Sequence, residues 1–324
     1  MIISRTPLRI SLGGGGTDLP SFYRLNGPGF LVAAAIDKYV YVAAHRNFED
    51  KYLLKYSEIE NVAERSDIRH PMIRSILEEY DIEPGIEISS IADIPAGTGL
   101  GSSGSFAVGL IKSLTTYNRQ YVSNEKLAEV ASRLEIEVLK EPVGKQDQYI
   151  AAKGGITAFE FRADESVHSY PVSMRESDRR DFETSLMLFY TGIRRSASEE
   201  LRTLKFESQS TSLRDNLEAV RAAGYEAITA LENGEIDKYG KMLSDQWKLK
   251  FLRQPSAVHA EINSIIESGI RSGAFGGKLI GAGGGGFILF STNHRSKLRS
   301  MMEQHGMAEV PIRIDYEGST VQWT

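Results

Sequence analysis

The sequence of 324 residues lacks several features that mark whole classes of protein, beginning with cysteine. A chain with no cysteine forms no disulfide framework, iron–sulfur cluster or cysteine zinc site. Its six histidines show no metal-ligand spacing such as His-Glu-x-x-His, so the sequence does not predict a zinc enzyme. One of the longest apolar runs, Phe30–Ile36, is far shorter than the roughly 20 residues needed to cross a bilayer.

The chain also lacks a strong excess of charge of either sign. It has 38 Lys and Arg against 43 Asp and Glu, a formal net charge of −5. This balance offers no basic surface for the phosphates of a nucleic acid. The first ten residues carry Arg5 and Arg9 and have no apolar stretch of signal-peptide length. We therefore expect a cytoplasmic enzyme with no nucleic-acid or membrane partner.

Glycine is the residue type that is present in excess. Of the 30 glycines, half fall in three short clusters. The clusters are Gly13–Gly16, then Gly97, Gly99, Gly101 and Gly104, and finally Gly276, Gly277, Gly281 and Gly283–Gly286. Such clusters indicate positions where the backbone turns sharply or is approached closely.

The hydrophobic pattern predicts a mixed first half. Strands are expected over 2–12, 30–45, 86–91, 154–161 and 167–172, and over 51–56 as the partner of a hairpin. Helices are expected over 71–80, from the serines at 102–103, and over 124–140. The last has Ser123 as its N-cap and a buried face of Leu127, Val130, Leu134 and Val138.

A polar stretch at 173–180 predicts a link between two lobes, which gives domains of 1–180 and 181–324. The second half is expected to contain a strand at 186–190 and long helices at 211–232, 235–252 and 256–271. Strands at 278–280, 287–290 and 310–314 and a helix at 294–305 complete the prediction.

The second glycine cluster has the features of a phosphate-binding loop. It lies in Ile94–Ser105, which reads IPAGTGLGSSGS, between a predicted strand and a predicted helix. Glycine-rich turns that enter a helix gather backbone N–H groups, and the helix N-terminus adds positive potential, so phosphate binds there. The hydroxyls of Ser102 and Ser103 could ligate Mg²⁺ or a phosphate oxygen, or they could simply cap the helix.

Two other nucleotide signatures fit less well. The Walker pattern fails because Gly277 and Lys278 are followed by Leu279 and the glycine required five positions earlier is Ser272. The dinucleotide pattern G-x-G-x-x-G is met at 99–104 and again at 281–286, but two consecutive helices are expected after the first match instead of parallel βαβ units. A nicotinamide-dependent dehydrogenase is kept as an alternative.

Read together, the three clusters resemble the three motifs of the GHMP kinases, a family that includes galactokinase, homoserine kinase and mevalonate kinase. The first is Pro7–Asp18, which reads PLRISLGGGGTD, the second is Pro95–Ser105, and the third is Lys278–Gly286. The order and separation of these motifs span almost the whole chain. The opening IISRTPLR and the segment Glu141–Ala152, EPVGKQDQYIAA, are most similar to the sugar-phosphate branch of the family.

The resemblance implies an α+β fold of two lobes, an N-terminal α/β lobe similar to a ribosomal protein domain and a C-terminal ferredoxin-like lobe. It implies ATP and Mg²⁺ between the lobes and phosphorylation of the anomeric C1 hydroxyl of a heptose 7-phosphate, for nucleotide-activated heptose in surface polysaccharide. Alternatives are another sugar kinase of the family, such as an L-fucose kinase, or a non-catalytic sugar-phosphate sensor. The partner expected is the sugar phosphate, and a homodimer is left open.

The resemblance also assigns the catalytic and metal residues. Asp147 matches the catalytic aspartate of the family, and Arg9 is expected near it or near the transferred phosphate. The family pairs a loop serine with a glutamate on the preceding helix as Mg²⁺ ligands, which favours Ser103 over Ser102 and Glu135 over Glu137. Residues expected at the ATP phosphates are Gly97, Gly99, Leu100, Gly101, Ser102, Ser103, Gly104, Gly283 and Gly284.

For the acceptor, the first motif implies that Asp18 binds sugar hydroxyls. Gly15 and Gly16 stand where galactokinase has Glu-His, which opens space for a longer, phosphorylated sugar. Arg194 and Arg195 are predicted to hold the existing phosphate, with Lys145 as a second candidate. The whole predicted acceptor set is Gly14, Gly15, Gly16, Thr17, Asp18, Lys145, Arg194 and Arg195.

Overall fold

The computed structural model describes residues 1–193, 211–253, 256–281 and 283–323. The strands are β1 Ile2–Gly13, β2 Gly29–Arg46, β3 Tyr52–Lys55, β4 Ile59–Val62, β5 Ile86–Ala92, β6 Ile156–Phe161, β7 Val167–Pro171, β8 Leu186–Tyr190, β9 Ala274–Leu279, β10 Phe287–Thr292, β11 Glu309–Val310 and β12 Thr320–Trp323. The helices are α1 Pro20–Tyr23, α2 Pro71–Glu79, α3 Ser102–Tyr117, α4 Asn124–Arg133, α5 Gln146–Lys153, α6 Glu176–Ser185, α7 Thr211–Glu232, α8 Ile236–Arg253, α9 Ala257–Arg271 and α10 Arg295–Gln304.

The first sheet is built around the long strand β2. Its path is β12-β1-β2-β5-β3-β4, and β6 joins the first half of β2 and carries β7 at its other edge. Every pair is antiparallel except β3 with β5. The described strands therefore do not form the parallel βαβ sheet of a dinucleotide-binding fold, and the dehydrogenase alternative loses its structural basis.

The second sheet has the order β11-β8-β10-β9 with antiparallel pairs throughout. Its strands follow the chain as β8, the helices α7 to α9, β9, β10, α10 and β11. This succession and sheet order are those of a ferredoxin-like lobe. The predicted α+β fold class is confirmed.

Local sequence explains the starts of the helices. Ser123 caps α4 by accepting from the amide of Lys126 at 3.3 Å, as predicted, and Ser256 caps α9 in the same way. The helix α2 begins at Pro71, whose missing N–H costs nothing in a first turn, after His70 as N-cap. The three long helices of the second half end within one or two residues of their predicted bounds.

Some predicted elements are wrong. The polar stretch at 173–180 contains the start of a helix that the pattern did not predict, since α6 begins at Glu176 and its Phe182 is buried in the core. The segment 51–56 does form a hairpin strand, β3, but with the unpredicted β4 as its partner. At 310–314 only β11 is a strand, and Ile314 forms a single bridge to Ile36.

The division at residue 180 stays a prediction. The helix α6 runs through residue 180, and β12 returns to the first sheet, where Thr320–Trp323 pair with Ile2–Arg5. The largest hydrophobic core likewise contains residues of both sheets, among them Leu31 of β2 and Leu289 of β10. No helix among the described residues is long and apolar enough to cross a membrane.

Candidate active site

The predicted phosphate loop lies between β5 and α3. Three of its glycines, Gly97, Gly99 and Gly101, have φ values of 77°, 82° and 78°, in the left-handed region that favours glycine. Gly101 is the N-cap of α3 and no side chain caps this helix, so Ser102 and Ser103 do not serve as caps. The helix N-terminus and the loop amides are left to face a ligand.

The third glycine cluster packs directly on this loop. A Cβ at Gly281 would lie 2.5 Å from the Cα of Gly99, and one at Gly286 would lie 2.0 Å from the carbonyl oxygen of Thr98. Close backbone approach, as predicted, is therefore the task of Gly281 and Gly286. Gly283 packs instead against His259, whose Nε2 lies 2.7 Å from the Gly283 carbonyl oxygen, and Gly283 and Gly284 are buried.

Arg9 and Asp147 meet in front of the loop. Both Nε and Nη2 of Arg9 lie 2.7 Å from Oδ1 of Asp147, and a third nitrogen of Arg9 donates to the carbonyl of Gly99. The Arg9 amide also donates to the carbonyl of Leu100 at 3.0 Å, which fixes β1 to the loop. The Arg9 side chain is 7% exposed and that of Asp147 28%, so the aspartate is the more accessible partner.

Asp147 occupies the first turn of α5, whose N-cap is Lys145 with no side-chain cap. Glycines on α3 make room for it, since a Cβ at Gly104 would lie 2.7 Å from the Asp147 Cβ and one at Gly101 would lie 3.1 Å from its Oδ2. The close approach of α5 to the start of α3 thus depends on these two glycines. The carboxylate is held at the helix N-terminus where phosphates are expected.

Ser103 and Glu135 are also in contact. The Ser103 hydroxyl donates to Oε1 of Glu135 at 2.6 Å, and the side-chain amide of Gln148 donates to Oε2. Glu135 is 4% exposed, and this burial raises its pKa to about 7, against the lowering effect of the two hydrogen bonds. The neighbouring Asp147 charge raises it further.

Glu135 lies on a wide π-helical turn, Leu134–Val138, that extends α4. The amide of Leu139 donates to the carbonyl of Leu134 at 2.9 Å, five residues back, and π turns recur at functional sites. Glu135 lines the cleft while the Glu137 side chain is 50% exposed, and the choice of Glu135 as the Mg²⁺ ligand stays a prediction. Val138, predicted to be buried, is 50% exposed because the turn carries it outward.

The predicted acceptor residues of the first loop, Gly14 to Thr17, divide into two pairs. Gly15 and Gly16 line the cleft. Gly14 packs on the backbone of Phe30, and Thr17 is fully buried, with its hydroxyl bonded to the backbone of Gly14 and Phe30. Gly14 and Thr17 therefore fix the shape of the loop from behind.

Asp18 reaches the cleft beside Gly16. Its carboxylate accepts the amides of Gly16 at 3.0 Å and Gln146 at 3.1 Å. Burial raises its pKa, against the lowering effect of the backbone bonds. A Cβ at Gly144 would lie 1.9 Å from Oδ2 of Asp18, so the glycine of the EPVGK segment allows this contact.

Lys145 faces away from the cleft. Its ammonium lies 2.7 Å from Oε2 of Glu165, which also binds Arg24 and the hydroxyl of Tyr23. Burial alone would raise the pKa of Glu165, but these three hydrogen bonds outweigh it and lower the pKa to about 2. Lys145 is thus engaged in an ion pair. The other two predicted phosphate ligands, Arg194 and Arg195, lie outside the described residues.

The cleft contains cations that the sequence did not identify: Lys250 and Arg253 of α8, and Lys278 of β9. Burial lowers the pKa of Lys278 to about 7, and the nearby Arg9 charge lowers it further; burial lowers the pKa of Arg253 to about 10. The spacing of Gln246, Lys250 and Arg253 places all three on one face of a helix, and this pattern could have drawn attention to them in the sequence. Long cationic side chains on a helix are usually solvated, so this spacing does not distinguish a binding site from an exposed helix face.

Comparison with known proteins supports the same family as the motifs. The family model of the GHMP kinases N terminal domain matches residues 38–155, and that of the GHMP kinases C terminal domain matches residues 227–307, together well over half of the chain. The chain is 26% identical over 328 residues to D-glycero-alpha-D-manno-heptose 7-phosphate kinase of Campylobacter jejuni, covering 95% of each chain. It is also 25% identical to L-fucokinase/L-fucose-1-P guanylyltransferase of Bacteroides fragilis, covering 89% of this chain and 34% of that one.

Among solved structures, the chain is similar to a D-glycero-D-manno-heptose 1-phosphate kinase from Bacteroides thetaiotaomicron. The TM-score is 0.81 at 21% identity, and the match covers 100% of this chain and 99% of the other. This likeness concerns the fold.

Proposed function

Because the chain belongs to the GHMP kinase family, whose members are ATP-dependent kinases, we propose that it phosphorylates D-glycero-α-D-manno-heptose 7-phosphate. The terminal phosphoryl group of ATP passes to the anomeric C1 hydroxyl and gives the 1,7-bisphosphate. Such a product serves nucleotide-activated heptose and surface polysaccharide synthesis, and we propose that the reaction takes place in the cytoplasm. The similarity to the Campylobacter jejuni enzyme over 95% of both chains supports the choice of acceptor.

One observation carries the catalytic part of the proposal: Arg9 and Asp147 are paired directly in front of the phosphate loop. Transfer of a phosphoryl group to an alcohol requires a fixed phosphate donor and a group that receives the alcohol's proton. Asp147 Oδ2 accepts none of the hydrogen bonds from Arg9 and Gln146, which all reach Oδ1. Oδ2 is therefore the oxygen we assign to the acceptor.

Oδ2 of Asp147 takes the proton of the C1 hydroxyl as the C1 oxygen forms its bond to the γ-phosphorus. The bond from that phosphorus to the bridging oxygen of ADP breaks, and ADP leaves with the bonding electrons. Arg9 holds the carboxylate in position and offers positive charge beside the transferred group.

Ser103 and Glu135 are suited to Mg²⁺. Oγ of Ser103 and Oε1 of Glu135 lie 2.6 Å apart on two different elements. Mg²⁺ prefers oxygen ligands, takes few of them from the protein and keeps several waters. Bound there, Mg²⁺ would neutralise charge on the ATP phosphates. Glu135 would lose its proton on binding the ion, since a metal ligand must be deprotonated.

The acceptor side is formed by the first loop. Gly15 and Gly16 offer no side chain, which leaves room for a seven-carbon sugar, and Asp18 is positioned to accept hydrogen bonds from sugar hydroxyls. The same pair of glycines stands where galactokinase carries two large residues. This difference supports a sugar phosphate over galactose as the acceptor.

The proposal is tested by measuring ADP release with a panel of acceptors. The panel contains the heptose 7-phosphate, the free heptose, L-fucose, galactose and mevalonate. We expect turnover to be fastest with the heptose 7-phosphate, with the new phosphate on C1 by phosphorus NMR. Turnover with L-fucose and none with the heptose 7-phosphate would overturn the substrate and favour a fucose kinase.

A further inference from the structure

The cation Arg253 lines the cleft, and no carboxylate among the described residues forms a salt bridge with it. Its guanidinium is held at the end of α8, and within the described part of the chain its hydrogen-bond partner is the amide oxygen of Asn216, at 3.2 Å. Arg253 is partly buried, and a cation that loses hydration for a neutral partner is costly, since the weak partner does not offset the lost hydration. The lowered pKa of Arg253, caused by burial, reflects this cost. The position is suited to an anionic ligand.

Arg253 is located on the acceptor side of the cleft. A Cβ at Gly16 would lie 3.7 Å from Nη2 of Arg253, and the amide of Gly16 donates to Asp18 at 3.0 Å. The guanidinium therefore stands across the first glycine loop from the group proposed to bind sugar hydroxyls. Lys250 reaches a different part of the cleft, since its ammonium donates to the carbonyl of Gly281 beside the phosphate loop.

Lys278 is also on the donor side. Its ammonium donates to Oε1 of Gln246 at 3.1 Å, and the charge of Arg9 is close enough to lower its pKa. Arg9 and Lys250 thus contact the phosphate loop and the third cluster, and Lys278 lies near Arg9. Arg253 approaches the first loop at Gly16, whereas Lys250 approaches the third cluster at Gly281.

We infer that Arg253 binds the phosphate monoester that the acceptor already carries, and that it makes the enzyme select phosphorylated sugars over free ones. This inference rests on the proposed function only in taking the acceptor to be a sugar phosphate. It moves the phosphate-binding task from Lys145, which is held by Glu165, to a residue that lines the cleft. A guanidinium presents two parallel N–H groups to a phosphate, and this geometry favours arginine over lysine.

The same contact explains discrimination. A phosphate in the cleft gives Arg253 a partner of opposite charge and repays its burial. A free sugar leaves the partly buried guanidinium with the neutral amide of Asn216 as its partner within the described residues. Selectivity then comes from the cost of an unpaired charge as much as from the attraction itself.

The test compares the wild type with Arg253→Gln, Arg253→Lys and the control Lys248→Gln. Lys248 lies on the same helix, is 69% exposed and pairs with Asp245. Each protein is assayed with two matched acceptor pairs, heptose 7-phosphate with heptose and mannose 6-phosphate with mannose. Thermal unfolding shows whether each variant is folded.

We expect Arg253→Gln to lower kcat/KM for the phosphorylated acceptors about 100-fold and to leave KM for ATP within about twofold. Activity on the free sugars should change little, so that the preference for phosphorylated acceptors disappears. Arg253→Lys should retain part of the preference, and Lys248→Gln all of it. Inorganic phosphate should inhibit the wild type in competition with the acceptor and should not inhibit Arg253→Gln in this way.

The outcomes separate the two proposals. A preference for the heptose 7-phosphate that survives Arg253→Gln overturns the role of Arg253 and leaves the proposed function standing. A wild type that prefers mannose 6-phosphate, with the preference lost in Arg253→Gln, overturns the proposed substrate and supports the role of Arg253. A rise in KM for ATP in Arg253→Gln would assign the residue to the nucleotide and overturn the inference, as would a wild type that favours free sugars.

Discussion

At the scale of single residues, the pairing of Arg9 with Asp147 gives the two carboxylate oxygens of Asp147 different surroundings. Oδ1 accepts two nitrogens of Arg9 at 2.7 Å and the side-chain amide of Gln146 at 3.3 Å. Oδ2 faces Gly101, where no side chain obstructs it. An aspartate oriented in this way does not rotate freely, which suits the proposed role of its second oxygen as the proton acceptor.

Asp147→Asn tests this role, because the amide keeps the shape of the side chain and cannot take the proton. We expect kcat to fall by about 100-fold or more, with little change in the unfolding midpoint. The matched control is Asp164→Asn, an exposed aspartate bonded to Ser166. Near-normal turnover in Asp147→Asn would remove Asp147 as the base.

Lys278 gives a prediction about pH. In the unfolded chain its pKa is near 10.5, and burial lowers the folded value to about 7. The free-energy cost of burying the charged Lys278 is therefore at its full value below pH 7, and it decreases as the pH rises toward 10.5. Lys278→Met should stabilise the ligand-free protein at pH 6 by on the order of a few kcal/mol, and by less at pH 9.

Urea unfolding at the two pH values measures this difference. The control Lys248→Met changes an exposed lysine and should show no such dependence on pH. An equal gain at pH 6 and pH 9 for Lys278→Met would contradict the buried charge. The same variant should lose activity, because the charge that costs stability lies beside Arg9 in the cleft.

At the scale of elements, the glycine loops work as a pair. The phosphate loop and the third cluster touch through Gly99 and Gly281, and through Thr98 and Gly286. These contacts join the first half of the chain to β9 and β10 of the second sheet. A methyl group at either interface would separate the two halves locally.

Gly99→Ala should weaken ATP binding, because its Cβ would lie 2.8 Å from the carbonyl oxygen of Ile280. We expect KM for ATP to rise about tenfold, measured by ADP release at saturating acceptor. Gly306→Ala is the matched control, since Gly306 also has a positive φ, of 71°, but has no atom within 4 Å of an added Cβ. Alanine is conformationally unfavourable at both positions because φ is positive, so a similar rise in KM for ATP in both variants would contradict the steric argument.

Elements with a regular apolar pattern could be predicted from the sequence. The helices α7, α8 and α9 are long and amphipathic, and α4 and α9 carry serine caps that mark their starts. The strand β4 and the helix α6 were not predicted because each buries few side chains. In β4 the buried residue is Glu60, and in α6 it is chiefly Phe182. The π turn escaped because nothing local in Leu134–Val138 distinguishes it from an α-helix.

The candidate site was predictable to the extent that it lies in motifs. The residues Arg9, Ser103, Glu135 and Asp147 come from three distant segments, and resemblance to the family brought them together. Arg253 and Lys278 were missed because their place in the cleft depends on how the second half of the chain folds against the first. Such burial is a property of the tertiary fold, and the spacing of charges along one helix does not contain it.

At the scale of the whole molecule, both sheets contribute to one cleft. The first sheet and its helices supply Arg9, Glu135 and Asp147, and the second half supplies Lys250, Arg253 and Lys278. Side chains from both halves of the chain thus line the space where ATP and the acceptor are proposed to meet. The strand β12 returns to pair with β1, so the end of the described chain supports the strand that carries Arg9.

Removal of Mg²⁺ should abolish turnover without unfolding the protein. The proposed ligands Ser103 and Glu135 are already hydrogen-bonded to one another, and Gln148 completes the contact, so the fold does not depend on the ion. Addition of EDTA should leave the unfolding midpoint of the ligand-free enzyme unchanged, while Mg²⁺ with ATP should raise it. A large drop in the midpoint with EDTA alone would indicate a structural metal and contradict this prediction.

The amide of Arg9 offers a reporter for the state of the cleft. Its proton is bonded to the carbonyl of Leu100, in the phosphate loop, and not to a neighbouring strand. Exchange of this proton with deuterated solvent therefore requires the loop to leave β1, whereas exchange at most other positions of β1 requires the sheet to open. Slower exchange at Arg9 on addition of nucleotide, with the rest of β1 unchanged, would show that nucleotide binding holds the phosphate loop against β1.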